Sequence, residues 1–188
     1  MPQLPELIQN YAFTSKERFL EYVQIDTQSD PHSSSSPTTE KQKDLGKVLV
    51  KELQALGINN AHLDEHGYIY AHLASNVPHE VPGLCFCAHM DTSPDCSGSS
   101  VKPIVHSYYH GQDLVLPDDP SIIIRLADHP DLGEQVGNDI ITASGLTLLG
   151  ADNKAGLAEI MDVAAFYFAH PEVPHGPITI LFTPDEEV

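Results

Sequence analysis

Three short segments of this sequence carry side chains of the types that bind metal ions. In chain order they are AHMDTSPDCSG (88–98), LLGADNKAG (148–156) and TPDEEV (183–188). Their candidate ligands are His89 and Asp91 in the first, Asp152 in the second, and Glu186 and Glu187 in the third. A neutral imidazole and carboxylate oxygens are ligands typical of zinc and similar cations. Each segment alone is weak evidence, because short acidic runs usually lie in solvated turns.

The position of these segments relative to the predicted strands strengthens the case. Apolar runs at Leu84–Ala88, Leu146–Leu149 and Ile178–Phe182 come just before them and predict strands. In open α/β sheets, ligands bind outside the carboxyl ends of the strands. We therefore expect the three segments to meet at one edge of a sheet.

Each residue type has a chemical reason to be there. His89 and Asp91 project to one side of an extended strand, so one imidazole nitrogen can bind metal while Asp91, or a group nearby, accepts from the other. Asp152 precedes a predicted helix whose dipole favours the carboxylate form, and its two oxygens can bridge two cations. Glu186 and Glu187 are adjacent, so one can bind metal while the other reaches for water.

The remaining pattern alternates strands with helices and predicts a three-layer α/β sandwich with a mostly parallel central sheet. The predicted helices are Lys16–Val23, a helix opened by Ser36 and Pro37 and ended by Gly57, and Asn153–Phe168 with Phe168 facing the core; the further strands are His62–Asp64 and Tyr68–Leu73. Residues 97–140 are rich in Pro, Asp and Gly and predict an excursion of loops and hairpins.

Composition narrows the function classes. The chain has 188 residues, with 9 Lys+Arg against 27 Asp+Glu and a formal charge of −18, which disfavours nucleic acid and anionic membranes as partners. No apolar run reaches the roughly 18 residues of a membrane span, and the N-terminus lacks a signal-peptide pattern. Three cysteines do not make a disulfide framework, so we expect a cytoplasmic location. Leu84–Ala88 predicts a strand covered on both faces, in which Cys85 and Cys87 are expected to be buried and inert.

Taken together, the three segments resemble the M20 family of dinuclear zinc peptidases. The resemblance runs along essentially all 188 residues, in the right order, and is strongest to family members that act as aminopeptidases on tripeptides. It implies that His89 binds the first zinc and that Asp91 orients the His89 ring. It also implies that Asp152 bridges both metals beside a cis peptide, that Glu187 binds the second zinc and that Glu186 is the general base. Cobalt or manganese are alternative metals.

The resemblance also implies parts that this sequence does not contain. Family members continue well past the DEE run, where they supply a further aspartate, a late histidine and a second domain for dimerisation and closure over the substrate. We therefore interpret residues 1–188 as the N-terminal part of a catalytic domain. Two protein ligands per zinc, where catalytic sites usually have three, predict weak zinc binding and little activity for this chain alone.

Three alternative interpretations stay open at this point. One is another hydrolase of the same family: a dipeptidase, carboxypeptidase or deacylase. The second is a truncated, non-catalytic α/β module. The third, a structural zinc bound by Cys85, Cys87 and His89, is disfavoured because three residues on one face of a strand splay apart rather than surround an ion.

Overall fold

The computed structural model describes residues 4–188, which fold into layers of helix and sheet. The helices are α1 (Leu4–Asn10), α2 (Ser15–Tyr22), α3 (Gln42–Ala55) and α4 (Ala151–Ala169), with a 3₁₀ helix at Pro130–Gln135. The strands are β1 (His62–Leu63), β2 (Ile69–Leu73), β3 (Leu84–His89), β4 (Ile104–His106), β5 (Leu114–Val115), β6 (Ile123–Ile124), β7 (Ile140–Thr142) and β8 (Ile178–Thr183). The α/β class predicted from the sequence is confirmed.

The central sheet is mixed rather than mostly parallel. Its strand order is β1-β2-β8-β3, and of the three strand pairs in this sheet only β3–β8 is parallel. The short turn between β1 and β2 makes those strands antiparallel, and β2 then pairs antiparallel with β8 along its whole length. The parallel pair is nevertheless the one that matters for the site, because His89 and Thr183 are register partners at its carboxyl end.

The core lies on one face of this sheet. β2 and β8 alternate buried and less buried residues, and their buried side chains pack with α3 and α4. α3 contacts β1 and β2, whereas α4 contacts β3 and carries α2 on its other side. The longest of the helices in residues 4–188 is α4, and none combines the length and hydropathy that crossing a bilayer requires.

The cysteines lie on the opposite face, which corrects their predicted burial. Cys85 and Cys87 lie on the side of the sheet away from the helices, together with their register partners Thr179 and Leu181. Both thiols are therefore exposed. The interpretation of β3 as a strand covered on both faces was therefore wrong. Cys96, in the loop after β3, is exposed as well.

Two helix predictions also need correction. α3 begins at Gln42 rather than after Pro37, and the residues before it make turn-type hydrogen bonds, such as those from the Gln42 N–H to the Thr39 carbonyl oxygen and from the Lys43 N–H to the Glu40 carbonyl oxygen. Phe168 is 46% exposed rather than in the core.

Residues 97–140 form two small antiparallel pairs, β4–β7 and β5–β6. The assignment of the chain to one part of a catalytic domain stays a prediction.

A buried carboxylate joins α4 to the start of α2. Asp162 is 2% exposed and accepts hydrogen bonds from the Thr14 backbone N–H at 2.8 Å and the Thr14 hydroxyl at 2.7 Å, with Arg18 Nε 3.6 Å away. Replacing Asp162 with Ala leaves these donors without an acceptor, so we expect a loss of about 2 kcal/mol in the free energy of unfolding, measured by urea denaturation. The exposed carboxylate Asp131, replaced with Ala, is the matched control, and an equal loss there would contradict this role.

Candidate metal centre

The parallel pairing of β3 and β8 brings the first and third segments together. Beyond the His89–Thr183 register pair, the Met90 backbone N–H donates to the Thr183 carbonyl oxygen at 2.8 Å. The residues that follow each strand therefore leave the sheet side by side. His89 is buried at this edge, with 6% of its surface exposed.

Asp91 is the buried centre of the site. One carboxylate oxygen accepts the backbone N–H of Glu186 and the other that of Glu187, each at 3.0 Å. The His89 Nδ1 atom lies 3.3 Å from the same carboxylate and 3.1 Å from the Asp91 carbonyl oxygen. Burial opposes the charge, but His89 and the two backbone N–H groups hold the pKa of Asp91 below its ordinary value. Because acceptors surround Nδ1, the other nitrogen, Nε2, is the one that faces the remaining acids.

Asp152 reaches that nitrogen from the start of α4. Its Oδ1 atom lies 2.9 Å from His89 Nε2. The backbone at Asp152 and Asn153 departs from helical angles, and the peptide bond between them is cis, as the family resemblance implies.

Gly150 fits the second segment against the first. Its φ of 77° is left-handed, and a Cβ there would lie 3.0 Å from the Thr92 side chain, so both the backbone angle and the space favour glycine. The chain can therefore approach Thr92 closely just before it reaches Asp152.

His89, Asp152 and Glu187 form a compact cluster. One potential ligand atom from each lies within 4.8 Å of the others. The cysteines do not join any group of three potential ligands in residues 4–188, which disfavours the structural zinc interpretation. Glu186 is close by, with Oε2 3.8 Å from His89 Nε2.

The charges of this cluster suit a cation. Although burial disfavours the charged imidazole, contacts with Asp91 and Asp152 raise the pKa of His89 to about 9. The pKa of Glu187 is raised by burial first, and also by the neighbouring carboxylates, while His89 opposes the shift. One imidazole and several mutually repelling carboxylates therefore fit a divalent metal, which would offset that repulsion.

All five residues singled out in the sequence meet at this edge. Their individual roles as metal ligands, base and orienting group stay predictions. One neighbour behaves differently: Asp185, the first acid of the DEE run, faces Thr38 and Gln42 instead. The sequence offers a weak signal for this, because three consecutive side chains cannot all face one centre.

This chain is similar in sequence and in fold to known peptidases. No protein-family model matches the chain. It is 48% identical over 172 residues to peptidase T of Geobacillus sp. (strain WCH70) and 52% identical over 174 residues to peptidase T of Alkaliphilus oremlandii. A solved tripeptidase from Staphylococcus aureus matches 92% of this chain and 36% of its own, with 26% identity and a TM-score of 0.60.

A second solved structure, an aminopeptidase PepT from Bacillus cereus, shares the fold with 23% identity and a TM-score of 0.59, over 92% of this chain and 36% of its own. Both peptidase T matches cover 92% of this chain, but the chain spans only 42% of the length of those relatives. Over the aligned part, this chain is similar to proteins named peptidase T.

Proposed function

We propose that this chain carries part of the active site of a metallo-aminopeptidase that releases the N-terminal residue from tripeptides. The observation that carries the proposal is the cluster of His89, Asp152 and Glu187, whose ligand atoms lie within 4.8 Å of one another. It occurs in a chain about half identical to proteins named peptidase T. We assign two zinc ions to the site, with cobalt or manganese as alternatives.

In this proposal His89 and Asp152 would hold the first ion, and Asp152 and Glu187 would hold the second. When bound, such ions lower the pKa of water and polarise the peptide carbonyl. Asp91 keeps His89 in the tautomer that presents Nε2, because its oxygens face Nδ1 at 3.1 and 3.3 Å.

Glu186 takes the proton of the attacking water and delivers it to the departing amine. Its position supports that role: the side chain is 62% exposed, so a substrate can reach it, while its backbone N–H is fixed on buried Asp91. The substrate is a short peptide, consistent with the tripeptidase name of the solved relative. The three free thiols are consistent with a cytoplasmic location, and a homodimer of the complete enzyme stays a prediction.

The experiment is zinc titration of the 188-residue chain by calorimetry, with His89→Ala as the test and exposed His66→Ala as the matched control. We expect weak binding that His89→Ala abolishes and His66→Ala preserves. Equal binding by all three proteins would remove the metal centre from the proposal. Incubation with a tripeptide, a dipeptide and an N-acetylated tripeptide then separates an aminopeptidase, which needs the free amine, from the other hydrolases and from a non-catalytic module.

A further inference from the structure

Asp185 has a backbone conformation that few residues adopt. Its φ of 55° lies in the left-handed region, which Asp tolerates better than most non-glycine residues but which still strains an L-residue. Such a conformation persists where surrounding contacts impose it. The contacts of Asp185 therefore explain its position, and they lead away from the metal centre.

Those contacts join the segment after β8 to Thr38 and to Gln42 at the start of α3. One Asp185 carboxylate oxygen accepts the Thr38 backbone N–H at 2.8 Å. The other accepts the Thr38 hydroxyl at 2.6 Å and the Gln42 amide at 2.7 Å. In return, the Asp185 backbone N–H donates to the Gln42 side-chain oxygen at 3.2 Å.

Gln42 makes this contact rigid. It is fully buried, with 0% of its surface exposed, and it is the first residue of α3. A buried side-chain amide in a reciprocal pair of hydrogen bonds has little freedom to move, because each broken bond would leave a polar group unsatisfied. Asp185 is thus fixed to a helix that lies outside the three segments of the site.

The next two residues show what this fixation achieves. The backbone N–H groups of Glu186 and Glu187 both donate to Asp91, so the chain is fixed at three consecutive positions. The left-handed turn at Asp185 aims these two N–H groups at the same carboxylate. It also sends the Glu186 side chain to 3.8 Å from His89 and places Glu187 in the cluster.

We propose that Asp185, held by Thr38 and Gln42, is a positioning residue that sets the place of the Glu186–Glu187 pair in the metal centre. The part of this inference that concerns metal affinity rests on the proposed function. A purely structural residue would lower stability alone. A positioning residue also changes the metal affinity of the folded protein, because ligands that are no longer pre-oriented bind more weakly, typically by 10–100-fold.

The test compares Asp185→Gly and Asp185→Asn with the unmodified chain. Glycine accepts the left-handed φ but removes all the side-chain hydrogen bonds, so it separates loss of contacts from backbone strain. Asparagine keeps one acceptor oxygen but places an amide group against the Thr38 N–H or its hydroxyl. The matched control is exposed Asp131→Ala, which removes the same charge elsewhere.

Two measurements are made on samples that circular dichroism shows to be folded. The first is Co²⁺ titration followed by the visible spectrum; we expect Asp185→Gly to weaken binding about 10-fold or more, Asp185→Asn less, and Asp131→Ala not at all. The second, made without metal, is amide hydrogen exchange, where Asp185→Gly is expected to speed exchange at Glu186 and Glu187 by at least about 10-fold.

The outcomes separate the two proposals. Unchanged Co²⁺ affinity and unchanged amide exchange in Asp185→Gly would overturn the positioning role while leaving the proposed function in place. If the unmodified chain and His89→Ala bind Co²⁺ equally, the proposed function fails instead. Amide exchange then still decides whether Asp185 fixes the two glutamates.

Discussion

Replacing Glu186 with Gln is expected to lower the rate of tripeptide hydrolysis by about 10²–10⁴-fold, the usual contribution of a positioned general base. The glutamine has the same shape and keeps the backbone hydrogen bond to Asp91, but its amide cannot take a proton from water. Glu186 is outside the three-residue cluster of ligand atoms, so we expect metal affinity to change little. Rate and metal binding should therefore separate in this variant.

The rate is measured with zinc-loaded protein and product detection by mass spectrometry over hours, because the 188-residue chain is expected to be slow. Glu80→Gln, at an exposed glutamate outside the site, is the matched control and should keep the full rate. A Glu186→Gln protein that hydrolyses the tripeptide normally would rule out the base role. One that loses zinc instead would make Glu186 a metal ligand.

Replacing Asp91 with Ala is expected to weaken both the fold and the site. Its carboxylate is fully buried, accepts two backbone N–H groups and contacts His89, so its removal leaves the two N–H groups without their partner and takes from His89 Nδ1 one of its two acceptors. We expect a loss of about 3 kcal/mol in the free energy of unfolding, as found for broken buried pairs. Metal affinity of the remaining folded protein should fall about 10–100-fold, because His89 loses the carboxylate beside Nδ1 and keeps only the residue-91 carbonyl oxygen to orient it.

Chemical denaturation and zinc titration measure the two effects, with Asp95→Ala as control. Asp95 is an exposed carboxylate four residues further along the same loop, and its replacement should leave both quantities unchanged. Asp91→Asn adds a finer comparison, because the amide keeps one acceptor but opposes one backbone N–H with another donor. An Asp91→Ala protein as stable as the unmodified chain would contradict the central place of this carboxylate.

The convergence of the site was predictable because it follows from strand direction. His89 is the last residue of β3 and the DEE run follows the end of β8, and parallel neighbours place such residues at the same edge. Asp152 reaches the site by a different route from the predicted one. Leu146–Leu149 is not a strand, and Asp152 instead stands where a glycine turn opens a helix packed on β3.

Other features depend on contacts that one segment cannot reveal. The exposure of Cys85 and Cys87 depends on which sheet face the helices cover, and their strand is equally apolar either way. The role of Asp185 depends on Thr38 and Gln42, which carry no recognisable motif. The late start of α3 is another such feature, because a Ser-Pro pair is favourable at a helix start but does not fix where the helix begins.

The hydrogen bonds that shape the site also determine when it can form during folding. Thr38 and Asp185 are 147 positions apart, Asp91 and Glu187 96, and His89 and Asp152 63. Closing loops of this length loses chain entropy before any contact compensates, so such contacts tend to form late and to slow folding. A nascent or partly collapsed chain therefore lacks the assembled cluster of His89, Asp152 and Glu187, which exists only after these distant segments have met.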